Sequence, residues 1–412
     1  MKTYIIICAF ADKIAGGPIY DANKVKYMKE KGWNAVVVRT DVGKRAAIPG
    51  MEEYFDNFFS EAGYMPTEFT KSQRERLLHI LLSFVPRDAG ETVIETGNDY
   101  SAYWGELLAE RIGARHIIIF LDEQNPFVDA RTIPFFKYKY DRHEMACISK
   151  EVMQALFQKA GLYLSLDQCY ALPCNCTNTL DDYDSPITDR IPSGDYNIGY
   201  VGRLEKPFLP AILDAFEAFI RENADKTIAL TFFGGAFLKE TEDQIAKRFG
   251  AFPNVRLFIT GYLYPLPVKA MHKISLFVSG AGSSNVACKA GCYSLRINML
   301  SYQPDGITIS TNPLRTVTNP ECRGIVDYMN WVLKDGSNLP PRPKVDFEHD
   351  WEIVEQNFDL HMKFLSEAAS KLDYYDLRKI RLSWKQKVKR LLRAVFGIRL
   401  YNRLHRLVRA LR

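Results

Sequence analysis

At 412 residues the chain is longer than one hydrophobic core comfortably serves, and its 47% hydrophobic and 13% aromatic content excludes a disordered protein. Eight cysteines without paired spacing exclude a disulfide framework, and no apolar run reaches membrane-spanning length. The net charge of +5 is unevenly placed: residues 378–412 hold thirteen Lys and Arg and no Asp or Glu, which leaves the other residues at −8.

The chain opens on Tyr4 to Phe10, an apolar run after Lys2. Polar Asp12 and Lys13 follow without a small-residue cleavage site, so the run is expected to be a buried first strand and the protein to stay in the cytosol. Gly16-Gly17-Pro18 is then a turn, Ile19 to Lys31 a helix stopped by Gly32, and Ala35 to Val38 the second strand. Further strands are expected at Thr92–Glu95, His116–Leu121 and Ala146–Ser149. This β-α-β rhythm predicts a parallel sheet covered by helices, a first Rossmann-like domain over residues 1–176.

Residues 177–196 are polar with Pro and Gly and are expected to be a linker. A second series of strands starts at Tyr196–Val201 and continues through Thr227–Phe233, Val255–Ile259, Leu276–Val278 and Leu295–Asn298. It predicts a second Rossmann-like domain over 197–350, then a closing helix over 351–377. The fold class is therefore α/β, two doubly wound domains facing across a cleft. Ligands of such sheets sit at the carboxyl ends of the strands.

One strand end stands out. Val278-Ser-Gly-Ala-Gly-Ser-Ser-Asn-Val-Ala-Cys-Lys-Ala-Gly291 is rich in Gly and Ser and has no acidic residue. A strand running into a helix here leaves backbone N–H groups free for an anion, with Ser283, Ser284 and Asn285 at the helix start. Gly and Ser also serve ordinary tight turns, and both interpretations stand at this point.

The second domain's punctuation resembles the donor half of GT-B glycosyltransferases, in particular the retaining family four. The matching pieces, in order, are Gly199-Tyr-Val-Gly-Arg-Leu204, Thr231-Phe-Phe-Gly-Gly235, Asn254-Val-Arg-Leu-Phe-Ile-Thr-Gly261 and the elbow ending at Ala290-Gly291. Gly16-Gly17 after strand one, the helix ending at Gly32, and Leu172-Pro-Cys-Asn-Cys176 at the hinge position extend the resemblance into the first domain, so that it covers roughly residues 1–330. It implies a nucleotide-sugar donor, UDP- or GDP-linked, with Arg203 and Lys206 against the diphosphate, Gly234 and Gly235 allowing close approach, and Tyr262 bordering the base.

The family normally carries two glutamates seven residues apart in the elbow. Their places fall on Ser279 and Val286, and both carboxylates are missing. Ser283, Ser284 and Asn285 remain for a phosphate or sugar hydroxyl, and Lys289 is expected one turn inside the helix. Where the family has a His in the first domain, this chain has Asp122-Glu123-Gln-Asn-Pro126. Asp122 or Glu123 could act as the general base that an inverting transferase needs, with Asp99 and Glu95 in reserve. His79 and His116 are isolated, and His143-Glu144 precedes a strand, where a structural role is expected. Cys174-Asn-Cys176 with Cys169 lacks a second ligand pair, and the acidic run Asp181-Asp-Tyr-Asp184 is not at a strand end, so no obligatory metal is expected.

Beyond residue 377 the basic tail has apolar residues at helical spacing, Val388, Leu391, Leu392, Val395 and Phe396 before Gly397 and Leu400, Leu404, Leu407, Val408 and Leu411 after it. One amphipathic basic helix, or two joined at Gly397, suits an anionic membrane surface better than nucleic acid. The expected protein is thus a peripheral-membrane glycosyltransferase at the inner face of the cell membrane, with a glycan or lipid-linked saccharide as acceptor, in surface polysaccharide assembly. Its rivals are a GT-B scaffold that has lost catalysis and binds nucleotide, glycan or a partner protein, and another two-domain enzyme such as a nucleotide-sugar epimerase.

Overall fold

The computed structural model describes residues 1–8, 14–40, 47–122, 129–159 and 161–410, with side chains at all of these except 281, 399 and 403–410. The chain divides into two compact units. The first takes Met1–Lys13, Gly17–Asn175 and Val354–Arg412, and the second takes Ile14–Gly16 and Cys176–Ile353.

In the first unit, five parallel strands form a sheet in the order β2-β1-β3-β4-β5. In chain order its elements are β1 (Thr3–Cys8), α1 (Gly16–Glu30), β2 (Asn34–Arg39), α2 (Lys71–Leu82), β3 (Thr92–Thr96), α3 (Asp99–Ile112), β4 (Arg115–Phe120), α4 (Ile133–Asp141), β5 (Met145–Cys147) and α5 (Lys150–Gln158). β1 is buried at every position, as a strand covered by helices on both faces must be. Strand order reverses between β1 and β3, the switch point of this sheet. Gly16 and Gly17, expected as a turn, are instead the first two residues of α1, with Pro18 in its first turn, where a missing N–H costs no helical bond.

His116 is not isolated. It is buried in β4, with Nδ1 2.7 Å from the Glu106 carboxylate and Nε2 2.9 Å from the Thr96 hydroxyl. Lys139 lies 2.8 Å from Glu106 and 2.9 Å from Glu144, and Arg142 completes the network on Glu144 at 3.0 Å. Glu144 thus belongs to the framework just before β5, and the His143 ring packs against those of Tyr170 and Phe364. Glu95 is likewise built in: the Tyr4 and Tyr20 hydroxyls donate to it and the Lys24 ammonium is 3.5 Å away.

The second unit begins with the stretch expected as a linker. Residues 177–196 carry β6 (Leu180–Asp181) and place Leu180, Ile187 and Ile191 in this unit's core, where their apolar side chains escape water. The elements that follow are β7 (Tyr196–Val201), α6 (Leu209–Glu222), β8 (Ile228–Phe233), α7 (Lys239–Gly250), β9 (Val255–Ile259), β10 (Leu266–Pro267), α8 (Val268–Met271), β11 (Leu276–Gly280), α9 (Ala281–Lys289), β12 (Ser294–Ile297), β13 (Pro304–Thr311), β14 (Leu314–Val317) and α10 (Ile325–Asn330). Seven strands pair in the order β14-β13-β12-β11-β7-β8-β9. β12 to β9 run parallel, while the β13–β14 hairpin, which was not among the expected strands, pairs antiparallel along one edge. The reversal of order falls between β7 and β11. β6 pairs with β10 as a separate ribbon.

α11 (Asp350–Glu367) and the last helix, α12 (Trp384–Ala410), complete the chain. Gly397, at φ 75° and ψ 159°, breaks α12 into two helical pieces, a conformation that glycine adopts without strain.

Candidate nucleotide-sugar site

The switch point of the second sheet gathers several of the expected donor residues around the carboxyl ends of β7, β8 and β11. Gly202, with φ at 139°, follows β7, and Arg203 comes next. Arg203 is partly buried and makes no ion pair among the described residues; its guanidinium lies 4.9 Å from the centre of the Phe237 ring. Tyr200 fixes the turn from below by donating its hydroxyl to the Arg203 carbonyl at 2.9 Å. A cation held against an aromatic face and not neutralised by a carboxylate keeps its charge for an incoming anion.

Gly234 begins the loop after β8, and a Cβ there would fall 2.0 Å from the Gly202 carbonyl oxygen. Glycine is required so that the β7 and β8 exits can touch. The Gly234 N–H is already given to Thr260 at 3.2 Å, so this residue packs the site rather than donating to a ligand. The rest of the loop is pinned by Ala236 N–H to Glu242 at 3.0 Å, Phe237 N–H to Glu205, and Leu204 N–H to the Gly235 carbonyl at 3.2 Å. Gly235 makes room for Tyr262, whose ring would lie 3.0 Å from a Cβ at that position. The Tyr262 hydroxyl is buried without a hydrogen-bond partner among the described residues, and burial raises its pKa. Lys206 is also partly exposed near this strand exit.

The glycines of the elbow have a packing explanation. A Cβ at Gly280 would meet the Phe208 ring at 2.7 Å, and one at Gly282 would meet the Thr177 hydroxyl at 2.8 Å. With these close approaches satisfied, β11 runs directly into α9. Gly280 is the N-cap and offers no side chain, so among the described residues the first N–H groups of α9 have no side-chain cap from that position. Ser283 sits in that first turn, partly exposed, with its Oγ 3.2 Å from where a Gly202 Cβ would be.

Not every expected donor residue belongs there. Ser284 is buried and accepts from Arg296 at 3.1 Å, and Asn285 Oδ1 accepts from the same guanidinium at 3.1 Å. Both thereby bind α9 to β12, since a guanidinium largely withdrawn from water needs acceptors. Lys289 is in the last turn of α9 and pairs with Asp350, far along the helix from its N-terminus. Ser279 and Val286, the positions at which the resemblance led us to expect carboxylates, are buried too. The Ser279 hydroxyl accepts the Val201 N–H at 2.9 Å, beyond the point where the β7–β11 register ends, and Val286 is part of the apolar core.

In the first unit the candidate bases lie at the carboxyl ends of β3 and β4. Asp99 opens α3 after the N-cap Asn98, partly buried, with its Oδ1 accepting the Tyr100 N–H at 2.8 Å. Burial raises its carboxyl to about 7 against the pull of backbone N–H groups, and Asp129 adds to the rise. Asp122 is exposed two residues beyond β4. Glu123 lies outside the described residues. Gly97, between β3 and α3, packs against Leu121, so the two strand ends adjoin. Gly16 approaches Cys176, with 3.2 Å between a hypothetical Cβ and the Cys176 Cβ, while a Cβ at Gly17 would meet nothing within 4 Å among the described residues.

Sequence inspection missed Phe237, the ring under Arg203. Its only sequence signal is an aromatic three residues past Gly234, which in a chain with 25 Phe and 22 Tyr singles out nothing. Among the described residues no group of three or more His, Cys, Asp or Glu is placed to hold a metal.

No family model and no curated protein sequence matches the chain. Solved structures do. The chain is similar to a glycosyltransferase from Rickettsia africae over 88% of its own length and 98% of that protein's, with a TM-score of 0.57 and 9% identity. It is similar to an Anabaena protein in complex with UDP and glucose over 89% and 100%, with a TM-score of 0.56 and 11% identity. The catalytic domain of starch synthase IV from Arabidopsis thaliana, bound to ADP and acarbose, is similar over 90% and 99%, with a TM-score of 0.52 and 11% identity. At such identities the likeness is one of fold, the GT-B architecture of two doubly wound α/β units.

Proposed function

We propose that the protein is a glycosyltransferase that moves a sugar from a UDP- or GDP-sugar to a glycan or lipid-linked saccharide, in the assembly of a surface polysaccharide. The observation that carries this is Arg203, a guanidinium without an ion pair among the described residues, at the carboxyl end of β7 beside the uncapped N-terminus of α9. Breaking a sugar–diphosphate bond leaves negative charge on the departing nucleotide. A fixed cation and helix N–H groups at that place stabilise the charge as it develops. Phe237 keeps the guanidinium oriented, Ser283 offers a hydroxyl, and Tyr262 offers a ring and an unpaired phenol to the rest of the nucleotide. The fold's likeness to a glycosyltransferase and to proteins holding UDP or ADP supports this assignment.

A carboxylate base would deprotonate the acceptor hydroxyl and give inversion at the anomeric carbon. Asp99 is favoured over Asp122 because its raised carboxyl suits a base working near neutral pH. A second interpretation rests on Ser279 and Val286: the two positions that hold carboxylates in the family are absorbed into the ladder and the core, as in a scaffold that binds nucleotide without turning it over.

Thermal-shift titration with UDP, GDP, ADP, CMP and their common sugars, on the native protein and Arg203→Ala, tests the proposal. Binding to the native state alone stabilises it by about 2.7 kcal/mol at a hundredfold excess over Kd. A shift with one nucleotide class, lost in the variant, with release of free nucleotide when an acceptor is added, is the expected result. Binding without release selects the scaffold, and no shift with any nucleotide in folded protein overturns both.

A further inference from the structure

The first piece of α12 is amphipathic, and it is attached to its own protein by the polar side. Arg393 is fully buried, with Nη1 donating to Glu68 at 2.7 Å. Its guanidinium lies 4.2 Å from the ring centre of Tyr64, 5.0 Å from that of Phe69 and 4.7 Å from that of Tyr401. Gln386, two turns earlier on the same face, donates to Met65 Sδ at 3.2 Å, and Gln73 returns a bond to the Arg393 carbonyl at 2.9 Å. A capping box between Ser383 and Gln386 fixes where the helix begins.

The opposite face is apolar and exposed. Trp384, Leu391 and Val395 are 71%, 63% and 67% exposed, and Val388 joins them at the intermediate turn. Their spacing of i, i+4, i+7 and i+11 makes one stripe, widened by Leu392 and Phe396. Lys385 and Lys387 are exposed along its flanks, and Arg390 is exposed farther round the helix. A helix that only completed a soluble fold would turn this stripe inward and leave Arg393 in water. Here the arrangement is reversed, and the ion pair holds the stripe outward.

We propose that this stripe docks the protein on an anionic lipid surface. The charge pattern selects that occupant: residues 378–412 carry thirteen cations and no anion, and the flanking cations lie where headgroup phosphates meet an apolar face sunk among acyl chains. Trp384 and Phe396 at the stripe's margins suit the headgroup boundary. This inference is independent of the reaction, because it uses no residue of the nucleotide site.

Flotation of the full-length protein with vesicles tests it, comparing phosphatidylcholine alone with phosphatidylcholine containing a third phosphatidylglycerol, at low and high salt. The native protein is expected to float with the anionic vesicles and to lose most of that binding at high salt. Leu391→Ser with Val395→Ser is expected to lower the partition coefficient about tenfold or more, since two apolar side chains leave the bilayer, with no change in melting temperature. A double variant that floats like the native protein overturns the role of the stripe. A native protein that ignores vesicles overturns the proposal; if it also forms dimers that the double variant abolishes, the occupant is a second copy of the chain.

Discussion

Gly234 shows how a single missing side chain shapes the site. With only 2.0 Å between its hypothetical Cβ and the Gly202 carbonyl, any substitution must push the β7 and β8 exits away from each other. Gly234→Ala is expected to cost about 2–3 kcal/mol in chemical denaturation and to weaken nucleotide binding, because the Arg203 turn moves with Gly202. Arg203→Lys probes the neighbouring position differently. It keeps the charge and loses the guanidinium's contact with the Phe237 ring, so it is expected to recover only some of the nucleotide-induced stabilisation that Arg203→Ala removes. Asp99 carries a pH prediction. Burial raises its carboxyl to about 7, and a base works deprotonated, so transfer should accelerate as pH rises through about 7 and level off above it. Asp99→Asn is expected to remove that limb and lower kcat by about 10²–10⁴, leaving the nucleotide thermal shift intact. If Asp122→Asn does this and Asp99→Asn does not, the base is Asp122.

At the scale of elements, the β11–α9 elbow combines two demands in one stretch. Its glycines admit Phe208 and Thr177, and its serines divide the work: Ser279 closes the sheet, Ser284 holds Arg296, and Ser283 alone of the three is left partly exposed in the open helical turn. Ser279→Ala would leave the Val201 N–H buried without its acceptor. A loss of about 1–3 kcal/mol is expected in denaturant unfolding, with donor binding altered only through that loss. The composition of the elbow was legible in the sequence; the allocation was not, since adjacent residues on a helix point about 100° apart and only the neighbours decide which finds a partner. The same holds for the two helical pieces of α12. Their apolar periodicity and the break at Gly397 could be anticipated, whereas the choice of Arg393 as the buried face depended on Glu68, more than three hundred residues earlier in the chain.

For the molecule as a whole, the buried network around Glu106 sets an acid limit. Burial alone would raise this carboxyl, but Lys139 and the His116 hydrogen bond hold it at about 2, below its ordinary 4.5. A group with a depressed folded-state value contributes stability that is fully present above about 4.5 and disappears as pH falls towards 2. Thermal melts across that window are expected to show a falling midpoint, and Glu106→Gln should flatten the fall while lowering stability at neutral pH. The alternation of apolar strands with helices determined by itself that this is an α/β protein with two largely parallel sheets, because periodicity and turn residues are local properties of a chain. It also marked Arg203, Gly234 and the elbow, since strand ends can be read from where apolar runs stop. Tertiary structure alone decided that Leu180, Ile187 and Ile191 of 177–196 pack into a core, that Glu95 is framework, that Ser284, Asn285 and Lys289 have partners within their own unit, and that the first piece of α12 shows its apolar side to solvent. Those outcomes rest on pairings between residues distant in sequence, and a side chain's chemistry is fixed only when its partner arrives.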